Sequence, residues 1–290
     1  SSSATSGSVT IASPNAPSSG SVTMTTGASS QGDSGTVSIS TGNSKTSKSG
    51  SIQIIAGTGA SEGGSLSMFA GNSTKATGGT LRLTSGFSDL STSGQTVLET
   101  AAASNAGTSG GITMQTGHAV AGSTGDMKIN TGSSGGGISG SISIEVGVGR
   151  EGPGGNILMS AGDTVGSTGG EIMIRSGRGE ATSSGGLSVK TANAGASGSS
   201  GSLEVMTGES TGGSSGSLSI GSGNAAGGAS GDISIAVGAG SNGVGGSLIM
   251  RSGSSQKLTG GSIGLISGPG STSSSGSVQI STGNSGAKGS

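Results

Sequence analysis

The chain has 290 residues with 12 basic and 13 acidic side chains, so its formal net charge is −1, and glycine supplies 67 residues. A net charge so close to zero removes the electrostatic basis for binding nucleic acid or an anionic membrane surface. The absence of cysteine excludes a disulfide framework and a thiolate metal site, and no apolar run approaches the ~20 residues of a membrane span.

A short apolar–polar alternation recurs along the whole chain. It is clear in GTVSISTG at 35–42, GSIQIIAG at 50–57 and GSLSMFAG at 64–71. The second apolar residue of each copy marks the repeat, and these residues are, in chain order, Ile11, Met24, Ile39, Ile54, Met68, Leu83, Leu98, Met114, Ile129, Ile144, Met159, Ile174, Val189, Val205, Ile220, Ile235, Met250, Leu265 and Ile280. Most intervals are 15 residues, which indicates nineteen copies of one unit. A disordered Gly/Ser-rich chain needs no such period.

We number the unit so that the residue that ends the alternation, usually glycine, is position one. Position one is glycine in sixteen of nineteen copies, the exceptions being Pro14, Ala101 and Ala192. Position nine is almost always glycine, positions eleven and thirteen are apolar, and positions three, six, eight and fifteen are mostly small. The two 16-residue copies contain Ala101 and Ala192, so we expect these units to turn in another way than a glycine allows.

The alternation predicts a β-strand in each unit, because successive side chains of a strand point to opposite faces. In GTVSISTG, Val37, Ile39 and Thr41 are expected to point inward. Repetition in register predicts an all-β fold, a β-solenoid (parallel β-helix) of about nineteen 15-residue coils with a thin, flattened cross-section. A triangular section is the competing geometry. We expect one continuous solenoid over 1–290, without separate caps or linkers.

Positions twelve and fourteen of the predicted strand face outward and are the candidate contact surface. Seven of the large apolar residues at these positions are interpreted as a candidate lateral contact for another chain. The alternative is that scattered exposed apolar residues are normal. The residues are Ile55, Phe69, Leu158, Met173, Met206, Ile249 and Ile266.

Motifs that carry chemistry are sparse. The stretches 147–152 and 238–243 match the G-x-G-x-x-G pattern of dinucleotide-binding loops, but that pattern requires a helix after the loop, and here it falls on the glycines of the repeat. His118 is the single histidine and has no cysteine or second histidine to complete a zinc site. No loop exceeds its neighbours by more than one residue, which leaves no wall for a catalytic cleft. We therefore expect no catalytic residues, no cofactor and no metal, and the chain is not predicted to be an enzyme.

Two resemblances arise at the repeat itself. The units GSVTMTTG, GTVSISTG and GSVQISTG resemble the Gly/Ser-rich tandem repeats of surface proteins of microalgae, diatoms among them. That resemblance implies an extracellular or cell-wall setting. Thr23 and Thr25 are similar to the Thr-x-Thr array of ice-binding β-helices with 15-residue coils, although charged residues interrupt the face elsewhere.

The leading functional expectation is a structural, extracellular, fibre-forming protein that self-associates laterally or end to end. The chain begins with SSSATSGS and ends with GNSGAKGS, both in mid-unit, and we expect these open ends to stack on other copies. The alternative is a repetitive-surface binding module, either ice-binding or adhesive. The expected partner is the chain itself, with a glycan or cell wall as a further contact, and neither nucleic acid nor membrane is expected.

Overall fold

A computed structural model describes residues 6–104 and 107–284. Within these two ranges the chain forms no helix and no β-strand, and its regular features are bends and one turn. The predicted β-solenoid is therefore wrong, because no sheet joins one 15-residue unit to the next. Val37 and Ile39, expected to face an inner wall, are 51% and 68% exposed.

The accessible surface confirms that no core forms. The chain exposes 28926 Å² at a mass of 26.5 kDa. A compact protein of that mass exposes about 11,000 Å² and an unfolded chain about 38,000 Å². None of the described side chains is buried. Each unit therefore keeps its aliphatic side chains in contact with water.

The physical reason for the missing solenoid lies in the composition of the unit. A coil could bury only its two aliphatic side chains at positions eleven and thirteen, yet it would have to order fifteen residues. Glycine loses more backbone freedom on ordering than any other residue. This chain contains 67 glycines, and they recur at positions one and nine of the unit. The alternation alone therefore does not bring distant units together.

The repeat is nevertheless visible in the backbone. Bends recur at positions four to six of the unit, and they lie at 30–32, 45–47, 60–62, 74–76, 89–91, 120–122, 135–137, 150–152, 165–167, 180–182, 211–213, 226–228, 241–243, 256–258 and 271–273. Two units differ from this pattern. Near the start of the chain a shorter bend covers 17–18, and in the second half a turn followed by a bend covers 196–198. We call positions one to nine the loop of a unit and positions ten to fifteen its alternating segment.

The chain divides into two compact units of organisation, Ser1–Ile144 and Glu145–Ser290. Within the first, the bends run from 17–18 to 135–137, and within the second they run from 150–152 to 271–273. The expectation that 1–290 is one continuous domain without separate caps or linkers stays a prediction, although the β-solenoid assigned to it is wrong. The chain ends that were expected to stack fall partly on 1–5 and 285–290, outside the described residues. No helix that could cross a membrane occurs in the described chain.

The two ends of each loop meet at a neck. We define the neck as position fifteen of one unit together with positions one and nine of the next unit. In seven units the N–H of position nine donates to the carbonyl oxygen of position one at 2.8–2.9 Å. These bonds join Gly64 to Gly57, Gly79 to Gly71, Gly94 to Gly86, Gly170 to Gly162, Gly185 to Gly177, Gly261 to Gly253 and Gly276 to Gly268. In all seven, position fifteen is alanine or serine.

A β-branched residue at position fifteen keeps the neck open. Among the described necks, no unit with threonine or valine at position fifteen has the closing bond. A Cβ built on Gly35 would lie 3.3 Å from Thr26 Cγ2, and one on Gly155 would lie 2.9 Å from Val146 Cγ1. In these two necks the branched methyl group lies where position nine would approach position one, whereas a Cβ on Gly125, in the neck that contains Thr116, would meet nothing within 4 Å. The necks at Ser13 and Ser222 are exceptions, since each has a small residue at position fifteen and no closing bond.

A serine at position three stabilises the bend. Its hydroxyl oxygen accepts a hydrogen bond from the N–H of position six, at 2.9–3.1 Å, in seven units. The serines are Ser29, Ser44, Ser73, Ser88, Ser134, Ser210 and Ser255. This is the local side-chain-to-backbone bond that favours serine in turns. The small residue at position three is thus explained by the bend and not by a crowded inner wall.

The two 16-residue units turn differently from the rest. Gly107 donates to the carbonyl oxygen of Ser104 at 3.4 Å, and Gly198 donates to that of Gly195 at 3.3 Å. No other unit has a bond between these positions in the described ranges. Both 16-residue units thus have a bond from position seven to position four that goes with the extra residue and the alanine at position one.

Candidate functional site

The most extensive candidate surface is the apolar side of the alternating segments. Position-eleven side chains such as Ile52 and Ile142 are 52% and 53% exposed, and position-thirteen side chains such as Ile54 are more exposed. Nearly the same values recur from unit to unit, which indicates that the partial cover comes from residues close along the chain. The result is an aliphatic ladder, by which we mean positions eleven and thirteen of all units, open to solvent.

The seven predicted lateral contact residues are all exposed. Their exposed fractions run from 71% at Met173 to 94% at Ile266. Each stands in a different unit, with Ile55 and Phe69 in Ser1–Ile144 and the other five in Glu145–Ser290. The ladder is exposed as well. The predicted inner and outer faces therefore differ only in how far their side chains are exposed, and neither face is buried in the described ranges.

A second set of apolar side chains lies in the loops. Leu90, Ile138, Val165 and Val244 occupy positions four to seven of their units, and their exposed fractions are 98% or more. Their spacing along the chain follows no period, unlike that of the ladder. These residues therefore separate the effect of exposure from the effect of periodic placement.

Charged groups are scattered and interact weakly. Lys128 Nζ lies 3.7 Å from Asp126 Oδ2, with both side chains about four-fifths exposed. Such an exposed pair contributes little to stability. His118 is exposed, and no group of three histidine, cysteine, aspartate or glutamate side chains in the described ranges could hold a metal ion.

One groove brings two cations together. Arg175, Ser176, Gly177, Arg178 and Ser184 line a space of 550 Å³. The groove lies at a closed neck, and Ser176 is half-buried there. Sequence reasoning missed it, although the signal is present as Arg-Ser-Gly-Arg around position one.

Comparisons with protein-family models, with curated proteins and with solved structures find no match to this chain. The likeness to surface repeats of microalgae therefore rests on the repeat units alone. The likeness to ice-binding β-helices is weakened, because the described ranges lack the rigid sheet that would hold Thr23 and Thr25 in a flat array.

Proposed function

We propose that this chain is a structural, non-catalytic protein that associates with its own copies through the aliphatic ladder. The observation that carries the proposal is that aliphatic side chains recur every fifteen residues and all remain exposed in the described ranges. Exposed apolar surface that recurs in this way is a candidate site of interaction. The net charge of −1 provides no repulsion between copies.

A second copy fits this surface because it carries the same period. When one pair of ladders aligns, the neighbouring units align at the same spacing, and the contacts add as a multivalent array. Covering the remaining exposed part of one aliphatic side chain contributes roughly 1 kcal/mol, so a single unit binds weakly and many units bind firmly. The seven lateral contact residues extend the same surface.

An extracellular setting is part of the proposal. It is supported by the resemblance of units such as GSVQISTG to the surface repeats of microalgae. In such a setting a glycan or cell-wall polymer is a further contact for the hydroxyl-rich loops. The structural role does not depend on that contact.

Sedimentation equilibrium over a range of protein concentrations tests self-association. In the test variant, Ile52, Ile54, Ile142 and Ile144 become threonine, which keeps the β-branch and removes apolar area. We expect association to need about tenfold more protein in this variant, because several aliphatic contacts are lost at once. The natural chain remaining a single monomeric species at the highest attainable concentration would refute the proposal.

The matched control changes Leu90, Ile138, Val165 and Val244 to threonine. These residues are more exposed than the ladder but lack its period, so we expect association to be unchanged. An equal loss in both variants would mean that exposed apolar area in general causes aggregation and that the ladder has no specific role. A third variant, with threonine at the seven lateral positions, measures how much those residues contribute to self-association.

A further inference from the structure

Two arginine side chains converge on one groove in the second half of the chain. Arg175 is at position fourteen and Arg178 at position two, on either side of the neck residue Gly177. Ser176 and Ser184 complete the lining of this 550 Å³ groove. Two arginines and two serines therefore border one open space.

The backbone between the two arginines is held in place. The N–H of Gly185 donates to the carbonyl oxygen of Gly177 at 2.9 Å, which closes the neck. Ser176 at position fifteen permits this closure, whereas a threonine there goes with an open neck in other units. The groove is therefore built by the local fold and not only by long side chains that happen to lie near each other.

Neither arginine is paired with a carboxylate in the described ranges. The nearest acidic residues along the chain are Glu171 and Glu180, and neither lines the groove. A guanidinium group presents a rigid fork of N–H donors and no acceptor. Two unpaired forks on one groove leave a set of donors without a matching anion.

We propose that Arg175 and Arg178 form a binding site for a tetrahedral oxyanion, a sulfate or phosphate group. Arginine recognises such anions through paired, charge-assisted hydrogen bonds. The hydroxyl groups of Ser176 and Ser184 donate to the remaining oxygens. This site does not depend on self-association, because its residues lie within ten residues of one another along one chain and none of them belongs to the ladder.

The chain contains its own comparison site. Arg251-Ser252-Gly253-Ser254 repeats the motif with serine in place of the second arginine. Its neck is closed by the same bond, from Gly261 to Gly253 at 2.9 Å. The two sites thus share the first arginine, the half-buried serine and the closure. They differ at position two and also at position eight, where Gly260 stands in place of Ser184.

The test is a titration of the dilute full chain with sodium sulfate at constant ionic strength, followed by NMR. We expect saturable shifts of the Arg175 and Arg178 Nε–H signals and of the Gly177 and Gly185 amides, with a Kd of the order of millimolar for this exposed site. Arg178→Ser is expected to weaken binding about tenfold. Ser254→Arg is expected to create a second saturable site, seen at Arg251 and Gly261.

Arg150→Ser is the matched control, because it removes the same charge from a loop outside the groove. We expect the Kd for sulfate to be unchanged in this variant. Equal weakening by Arg150→Ser and Arg178→Ser, or no weakening by Arg178→Ser, would overturn the proposal. Failure of Ser254→Arg to add a site would overturn the claim that a closed neck and two arginines suffice.

A second arm identifies the source of the anion. The titration is repeated with sulfated dextran at equal sulfate concentration, and free sulfate is then added as a competitor. Tighter binding of the polymer, displaced by free sulfate, assigns the site to sulfate esters on a polysaccharide. Equal affinity assigns it to the free ion, and either result supports an oxyanion site.

Discussion

At the residue scale, the space available at position nine depends on the side chain at position fifteen of the preceding unit. A Cβ on Gly50 would lie 3.3 Å from Thr41 Cγ2, and one on Gly246 would lie 2.7 Å from Val237 Cγ1. A side chain at either position must therefore displace the residue that precedes the loop. The close approach is not general, because a Cβ on Gly125 would meet nothing within 4 Å and one on Gly231 would lie 3.8 Å from Ser222 Cβ.

Glycine at position three is required by steric contact in one unit but not in another. A Cβ on Gly59 would collide with the carbonyl oxygen of Glu62, so the bend in that unit exists only without a side chain. A Cβ on Gly240 would meet nothing within 4 Å. In that unit the special conformation belongs to Gly243, whose φ of 149° is one that other residues rarely adopt.

A pair of serine substitutions tests this difference. Gly59→Ser is expected to open its loop, since the new Cβ and the Glu62 carbonyl oxygen cannot share one place, at a cost of roughly 1–3 kcal/mol. Gly240→Ser is expected to leave its unit unchanged. The measurement is the exchange rate of the Gly64 amide in the first case and the chemical shifts of residues 238–246 in the second. Slow exchange at Gly64 in Gly59→Ser would contradict the steric argument.

At the scale of the element, the unit is a loop with a capped bend and a neck whose state depends on one side chain. Serine at position three satisfies the N–H of position six, and alanine or serine at position fifteen admits the closing bond. Both hydrogen bonds join residues that are fewer than ten positions apart in the sequence. The unit therefore has local structure even though, in the part of the chain that the structure describes, no neighbouring unit buries its side chains.

Exchanging position fifteen between two units should exchange their necks. In Ala56→Thr we expect the bond from Gly64 to Gly57 to be lost, and in Thr41→Ala we expect a new bond from Gly50 to Gly42. Because an exposed hydrogen bond contributes about 1 kcal/mol, amide exchange should rise about fivefold at Gly64 and fall by a similar factor at Gly50.

Ser85→Ala is the control for this exchange, since both residues are small and the bond from Gly94 to Gly86 should persist. The unit that contains Ser222 shows that a small residue alone does not guarantee closure. If Ala56→Thr leaves exchange at Gly64 unchanged, the branched methyl group is not what keeps other necks open.

At the scale of the whole molecule, the exposed area governs stability. The chain already exposes about three-quarters of the surface of its unfolded state. The dependence of unfolding free energy on denaturant follows the surface newly exposed. Little surface is left to expose, and among residues 6–104 and 107–284 no core couples one unit to another.

We therefore expect urea titration of the dilute chain to give no cooperative transition. Circular dichroism should change gradually, with a slope below about 1 kcal/mol per molar urea if a two-state form is imposed. Self-association should restore cooperativity at high concentration, because contacts between copies then link the units. A sharp transition in the dilute monomer would show a core that the exposed ladder excludes.

Much of the local structure could be predicted from the sequence. The period of fifteen residues, the small residues at positions three and fifteen, and the distinct turn of the Ala101 and Ala192 units all follow from residues near one another. The groove residues Arg175 and Arg178 were equally readable as a motif. Their convergence was missed because the neck that brings them together was not foreseen.

The sequence by itself determined where the chain bends, because hydrogen bonds and steric contacts within one unit decide that. It did not determine whether units stack, and the inference from alternation to a β-solenoid was wrong. Stacking depends on whether contacts between distant residues outweigh the entropy of ordering glycine-rich loops, and two aliphatic side chains per unit are too few. Only the tertiary structure decided that question, since it shows Val37, Ile39 and their counterparts exposed in every described unit.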